Sequence, residues 1–447
     1  MSVDALFQVE LGDWEWQPLG EVCRRGGGDI QTGPFGSQLH ASDYVAVGVP
    51  SIMPQNISED RVNPEGISRI AACDAERLSR YLVKPGDIVY SRRGDVERRA
   101  LITERERGWL CGTGCLRVRF GDGVVDPVYA SYFLSHPATR EWVVRHAVGA
   151  TMPNLNTSIL AALPFLLLPL REQRAISGVL SASDDKIEQN RRTAHALERL
   201  ARAIFRAWFV DFEPVKAKAE GATSFPSMPQ PVFDALPTRF VDSEIGPVPE
   251  GWDVKAIGDV VTVKGGGTPS TKNPEYWNGG EHCWATPKDM SALEHQVLLD
   301  TERHVTDAGV DCISSGLLPV GTVLMSSRAP VGYLAIAGVP TAINQGFIAM
   351  VCDGPLPPVF ILNWAVNSMD TIKAHASGTT FPEISKSSFR PLPIIQPSDD
   401  AVTAYQQTTD ALFNLLIAFL RERERLVEVR DYLLPRLLSG SVRAIHD

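Results

Sequence analysis

The sequence predicts an α+β fold in which two copies of an α+β module are separated by a pair of long antiparallel, coiled-coil-like helices. Three observations carry this. A set of phrases recurs in the same order in the two halves of the chain. In each half, about 150 residues are rich in short β-branched and aromatic runs punctuated by Gly and Pro. Each half then closes on a long segment with a heptad seam.

The repeat sets the boundaries. Trp14-Glu-Trp-Gln-Pro-Leu-Gly-Glu-Val22 returns 238 residues later as Trp252-Asp-Val-Lys-Ala-Ile-Gly-Asp-Val260. Val83-Lys-Pro-Gly-Asp-Ile-Val-Tyr-Ser-Arg-Arg93 matches Leu318-Pro-Val-Gly-Thr-Val-Leu-Met-Ser-Ser-Arg328, and Gly149-Ala-Thr-Met-Pro153 matches Gly378-Thr-Thr-Phe-Pro382. Chance similarity would not keep the order, and two domain-sized copies make a tandem duplication rather than a solenoid. IVYSRRGD, CLRVRF, GTVLMSS and GYLAIAG read as the best strands, and 127–146 and 358–376 as helical patches.

Residues 171–212 contain no Pro and a single Gly, and good helix formers dominate their second half. A 3–4 spacing runs from Ile187 through Asn190, Ala194, Leu197, Ala201, Ile204 and Trp208. Shifted by 229, it reappears as Leu416, Phe419, Arg423, Leu426, Arg430, Leu433 and Leu437. Asn190 is the polar member that fixes register, and Arg423 and Arg430 are candidates to meet Glu188 or Glu198 across the pair, or else to be solvated. Pro435 marks a kink or stop. Between the copies, residues 213–250 are proline-rich and read as an extended linker packed in places through Phe225, Phe233 and Phe240. The divisions are thus 1–165, 166–212, 213–250, 251–395 and 396–447. An antiparallel pair would put the modules at opposite ends of one rod about 60 Å long.

A chain of 447 residues, 44% hydrophobic and 21% charged, is long enough for two or three cores. Its start, MSVDALFQVELGDWEW, is mixed and acidic, and its longest apolar run is broken by Pro164 and Pro169, so neither a leader nor a membrane span is expected. A cytoplasmic setting follows, consistent with seven scattered cysteines. Cys111 and Cys115 lack a second ligand pair at knuckle spacing and read as core thiols; no metal is expected. The formal charge of −10 disfavours nucleic acid overall. A local patch matters more, and between Arg69 and Arg119 twelve Lys/Arg stand against seven Asp/Glu.

Catalytic motifs are missing. Asn63-Pro-Glu65 and Asn273-Pro-Glu275 lack the second Pro of a methyltransferase tetrad, no G-x-G-x-x-G or G-x-x-x-x-G-K-[ST] loop occurs, and the histidines form no H-E-x-x-H pair. Residues suited to phosphates and bases are present. Each copy has an early Gly-rich turn: Arg24, Arg25 and Gly26–Gly28 with the stretch to Ser37 in the first, and Lys264, Gly265–Gly267, Thr268, Ser270 and Lys272 in the second. A plain β-turn is the alternative. Arg92, Arg93 and Arg328 follow a strand in both copies and could read guanine edges, or simply be strand-end surface arginines. Arg98 and Arg99 are phosphate candidates. Asn344 and Gln345 could face adenine or cap a turn. Phe35, Tyr276 and Trp277 could stack on bases or pack in a core.

LPFLLLPLREQRAI (163–176), WFVDFEPVKAKAEG (208–221), DSEIGPVPEGW (242–252) and LLPRLLSG (433–440) resemble the specificity subunits of type I restriction–modification enzymes. The match runs along nearly the whole chain. The resemblance implies two DNA target-recognition domains, each reading one half of a bipartite site in double-stranded DNA. The helices would then act as a ruler and as the dock for two methyltransferase subunits, with restriction/translocase subunits outside. It also implies a chain that is not itself catalytic, with S-adenosylmethionine, ATP and Mg needed only in the partner subunits. The second copy departs from the pattern: PIIQPSDDAVTAY (393–405) lacks the Glu-Gln that opens the first helix. A reading of another class remains, a protein-interaction adaptor built on a coiled-coil hub.

Overall fold

The computed structural model describes residues 14–58, 60–149, 152–378 and 382–444. Ala150 and Thr151 of one repeated phrase and Thr379–Phe381 of its counterpart lie outside the described residues. The chain divides into two units, one running to Ile187 and resuming at Glu424, the other spanning Glu188–Arg423.

The first unit is built on an antiparallel sheet of four strands in the order Gly27–Thr32, Cys115–Gly121, Ile88–Ser91, Arg99–Leu101. The second unit repeats it as Thr262–Lys264, Phe347–Val351, Val323–Ser326, Leu334–Ala337, with Val297–Leu298 added in parallel at the edge. All four residues of Ile88–Ser91 and of Val323–Ser326 are buried, which is why these central strands read as unbroken apolar runs rather than as alternating ones. Each helical patch is two helices: Pro127–Ser135 with Pro137–His146, and Pro358–Asn367 with Met369–Ala374.

The repeated Trp phrase has a specific task. In the first unit Glu15–Pro18 pairs antiparallel with Pro164–Leu167, the strand that leads into the first long helix. In the second, Asp253–Ala256 pairs in the same way with Pro393–Gln396. Trp14 and Trp252 are buried beside these ribbons. Each module is therefore closed at the root of a helix.

The long helices are Leu170–Phe209 and Asp399–Leu438. The Glu-Gln pair opens the first. Glu172 accepts from Trp14 Nε1 at 3.0 Å and from Arg443 at 2.8 Å. Gln173 is fully buried, accepts from the Asp126 backbone N–H (2.8 Å) and donates to the Val124 and Leu168 carbonyls. The second helix begins without such a pair; there Ala401, Val402 and Tyr405 are buried, and the Tyr405 hydroxyl accepts from Asn363 at 3.1 Å.

Within each unit the helices run antiparallel. In the first, Ile176 and Leu180 share a core with Leu437 and Leu438, and Leu433 is half-buried against it. In the second, Ala194 and Leu197 meet Leu416 and Leu420, and Ile204, Phe205, Trp208 and Phe209 share a core with Tyr405 and Phe360. Ile187, Phe419 and Leu426 are only half-buried. The polar seam differs from expectation. Asn190 donates to Glu422 at 2.8 Å, Arg430 to Asp184 at 2.9 Å, and Arg423 pairs with Glu294 at 2.7 Å. Glu188 is taken by its helical neighbours Arg191 and Arg192, which hold its carboxyl down at about 2.

One further expectation is corrected in part. Residues 213–250 pack through Phe225, Phe233 and Phe240 as expected, but they are folded rather than extended: helices Glu213–Ala219 and Gln230–Ala235 precede a hairpin of Phe240–Ser243 with Gly246–Pro249, and Val215 and Val248 join the same core. Pro435 stands in the last turn of its helix, which stops at Leu438, just before Ser439 and Gly440, and Gly440 turns the chain at φ +74°.

Trp208→Ala should cost about 3–5 kcal/mol in urea unfolding by opening a cavity in the aromatic core, whereas Leu200→Ala, on a side chain 48% exposed, should stay within about 0.5 kcal/mol. Equal losses would mean that the aromatic cluster does not hold the pair.

Candidate nucleic-acid interface

The two central strands end in the same construction. In the first unit the Arg92 N–H donates to the Gly114 carbonyl (2.8 Å), the Arg92 carbonyl accepts from Leu155 N–H (2.9 Å), and Arg93 bridges Asn154. In the second the Ser327 N–H donates to Gly346 (2.8 Å), its carbonyl accepts from Ile384 N–H (3.0 Å), and Arg328 bridges Glu383. The next residue is left-handed in both: Gly94 at φ +76° and Ala329 at φ +55°. A strand tip is thus pinned on both sides by main-chain bonds; Arg93 is exposed beyond it, Arg92 and Arg328 are half-buried and Ser327 is buried.

A glycine lets a second loop cross each tip. A Cβ on Gly33 would lie 2.0 Å from the Gly112 carbonyl oxygen, and one on Gly266 would lie 2.0 Å from that of Ile343. The matching turns are therefore the one after Gly27–Thr32 and the one after Thr262–Lys264. Gly26–Gly28 do something else. They sit at the far end of the Gly27–Thr32 strand, roughly 17–20 Å away along it, where Cβ atoms on Gly26 and Gly28 would strike the Phe120 and Arg119 carbonyls. These glycines permit close sheet packing rather than a phosphate contact. Arg24 and Arg25 lie at that far end, against Glu21 and against Gln17 and Glu15.

At the first tip the Arg92 guanidinium stands 5.7 Å over the ring of Phe35, an exposed side chain, and Arg93 and Ser37 are exposed nearby in the fold. Arg98 leaves the same hairpin and pairs with Asp95 at 2.8 Å. At the second tip Thr268 donates to Gln345 Oε1 at 2.5 Å, Asn344 Oδ1 accepts from Gly346 N–H, and a Cβ on Gly346 would lie 3.7 Å from Arg328 Nε. Arg328 faces Glu383 at 3.8 Å. Asn344 is the turn cap, while Gln345 is exposed. Lys264 is exposed at the root of the crossing loop, with its ammonium 3.5 Å from the Ser315 carbonyl. Ser270 and Lys272 are exposed further along, and the Ser270 carbonyl accepts from Trp277 Nε1. Lys386 was not foreseen. Its Nζ would lie 3.0 Å from a Cβ on Gly265, a neighbour that no local spacing reveals.

The basic stretch 69–119 is largely engaged in ion pairs, some of them buried. Arg77, Arg98, Arg99, Arg105, Arg107, Arg117 and Arg119 pair with Asp74, Asp95, Asp60, Glu106, Glu104, Asp29 and Asp87. Arg99, 2% exposed, lies inside the sheet and cannot reach a phosphate, which corrects its assignment. Arg119 grips Asp87 with two bonds of 2.7 and 2.6 Å, and this carboxylate raises the guanidinium pKa. Arg92 and Arg93 enter no such ion pair among the described residues, and they stand at the tip. Tyr276 is the last residue of a short 3₁₀ turn (Pro274–Tyr276), and Trp277 packs against Trp284 with Arg303 3.6 Å over its ring, so Trp277 is a packing residue. Cys111 and Cys115 are buried thiols; burial pushes Cys111 up to about 12 and Cys115 well above its usual value.

The family model described as "Type I restriction modification DNA specificity domain" matches residues 12–199 and again 249–428. The type I restriction enzyme HindI specificity subunit of Haemophilus influenzae is 26% identical over 413 residues, 83% of this chain and 89% of that protein. The type I restriction enzyme MjaIX specificity subunit of Methanocaldococcus jannaschii is 40% identical over 165 residues, 36% of this chain and 38% of its own. The crystal structure of the type I restriction–modification system S subunit from M. genitalium superposes with a TM-score of 0.61 at 15% identity, covering 96% of this chain and 98% of that one; this likeness is one of fold.

Gly33→Ala and Gly266→Ala should each lower stability by about 1–3 kcal/mol in thermal unfolding, because main chain must move to admit the methyl group. Gly36→Ala, with open space around it, should leave the melting temperature unchanged. Full tolerance at Gly33 and Gly266 would show that the loop crossing is not tight.

Proposed function

Because the chain belongs to the family of type I restriction–modification DNA specificity domains, matched twice along its length, we infer that it is the DNA-recognition component that directs methyltransferase and restriction subunits to a bipartite target. Each module reads one half-site through its strand tip. The observation that carries this is the double occurrence of one construction, in which main-chain bonds fix a strand end and present Arg92 and Arg93 in one module and Arg328 with Gln345 in the other. Arg and Gln at such ends suit guanine and adenine edges, while Lys264 and Lys386 beside the glycine turn suit phosphates.

The chemistry belongs to partners on this reading. The chain contributes position, and S-adenosylmethionine, ATP and Mg act in the methyltransferase and restriction subunits. The long helices serve as spacer and as the dock for two methyltransferase subunits. No described helix is long and apolar enough to cross a membrane, which agrees with a cytoplasmic site of action. A protein-interaction adaptor would use the same helices, and salt separates the two readings. DNA affinity should fall with salt at a log–log slope of about −0.9 per phosphate contacted, whereas an adaptor complex would be indifferent to DNA.

In complex with its methyltransferase partner, the chain should protect two short half-sites separated by unprotected sequence. One contiguous footprint, or none, would sink the reading. Arg93→Ala should weaken binding by about 10–100-fold through one half-site, and Arg328→Ala through the other, as loss of about 1–3 kcal/mol per base contact predicts. If both variants relaxed the same half-site, the division of labour between the tips would be wrong.

A further inference from the structure

Three side chains that the DNA reading does not use converge inside the second unit. His195 and Glu198 stand one helical turn apart on the first long helix, and His295 approaches them from the segment before the Val297–Leu298 strand. A potential ligand atom from each lies within 4.8 Å of those of the other two. Glu198 Oε2 is 3.0 Å from His295 Nδ1 and 3.7 Å from His195 Nδ1, and the two imidazole rings are 4.2 Å apart. We propose that His195, Glu198 and His295 form a binding site for one divalent transition-metal ion of the zinc type. The bound ion would clamp the segment around His295 to the helix.

The spacing fits. Bonds of about 2.0–2.1 Å in a tetrahedral set place ligand atoms about 3.4 Å apart, and the two measured separations fall on either side of that. Two imidazoles and one carboxylate are the donor set of zinc, cobalt and nickel rather than of magnesium or calcium. The carboxylate is already oriented, because its Oε1 accepts the Gln296 backbone N–H at 2.7 Å, and the Gln296 side chain is held in turn by Arg202 at 3.0 Å. The His295 side chain is 3% exposed and its Nε2 has no hydrogen-bond partner among the described residues. The neighbouring charges are already matched, Arg191 with Glu188 and Glu294 with Arg423.

The test is independent of DNA. Full-length protein without a histidine tag is stripped with chelator and titrated with Zn²⁺ by calorimetry and with Co²⁺ by its visible spectrum. A second cluster of Cys283, Asp300 and His304 is removed in a Cys283→Ser/His304→Asn background to keep the count clean. One equivalent should bind in that background, with a tetrahedral Co²⁺ spectrum and a rise in melting temperature. His195→Asn alters the partly exposed ligand, so folding is expected to survive, as circular dichroism would record. It should weaken binding at least about tenfold and abolish the thermal shift. Binding unchanged by His195→Asn, or no stoichiometric binding in the control background, would overturn the proposal and leave a histidine–glutamate pair only.

Discussion

Each long helix is tied at its root to its own module by a four-residue ribbon. The strand that opens each module pairs with the strand that precedes each long helix, Glu15–Pro18 with Pro164–Leu167 and Asp253–Ala256 with Pro393–Gln396. Without that pairing the first helix would hang from Leu168 and Pro169. With it, the module and the first turns of the helix are one packed body, and Gln173 ties them further through Asp126, Val124 and Leu168. Heptad packing then continues from a fixed start. The second module reaches the same end with an aromatic core around Tyr405 rather than a buried amide.

Charge is organised by the same logic. Arg99, Arg117 and Arg119 hold Asp60, Asp29 and Asp87 within or beside the first sheet. A count of basic residues therefore overstates what a phosphate backbone could meet. Removing one partner of such a pair leaves the other charge uncompensated, so these arginines are constraints on the frame. Arg93 and Lys264, by contrast, are exposed at a strand tip and at a crossing loop.

The duplication, the long helices and the strand cores were legible because their signals are local: ordered phrases, heptad spacing and apolar runs. What failed depended on distant neighbours. Gly26–Gly28 look like the turn at Gly265–Gly267 in composition, yet one precedes its strand and the other follows it, and only strand pairing shows which loop crosses the tip. Arg99 resembles Arg98 until Asp60 arrives beside it. Glu188 was a reasonable cross-helix partner, but Arg191 and Arg192 reach it first from one turn away. The proline-rich stretch gave no periodicity, although Val215, Phe233 and Val248 bury themselves. The meeting of His195 and Glu198 with His295 has no sequence signature at all.

The strand tips bear on how such a fold tolerates change. The bonds that hold them, Arg92 with Gly114 and Leu155, and Ser327 with Gly346 and Ile384, are all between backbone atoms. The buried Ser91 and Ser326 hydroxyls add to this by donating to the Arg93 and Pro330 carbonyls, so the tip is held from inside and its exposed members are not among its ties. This single chain already holds two solutions on that frame, Arg-Arg-Gly and Ser-Arg-Ala. An exposed side chain on that frame, such as Arg93, can therefore be exchanged without loss of a main-chain bond.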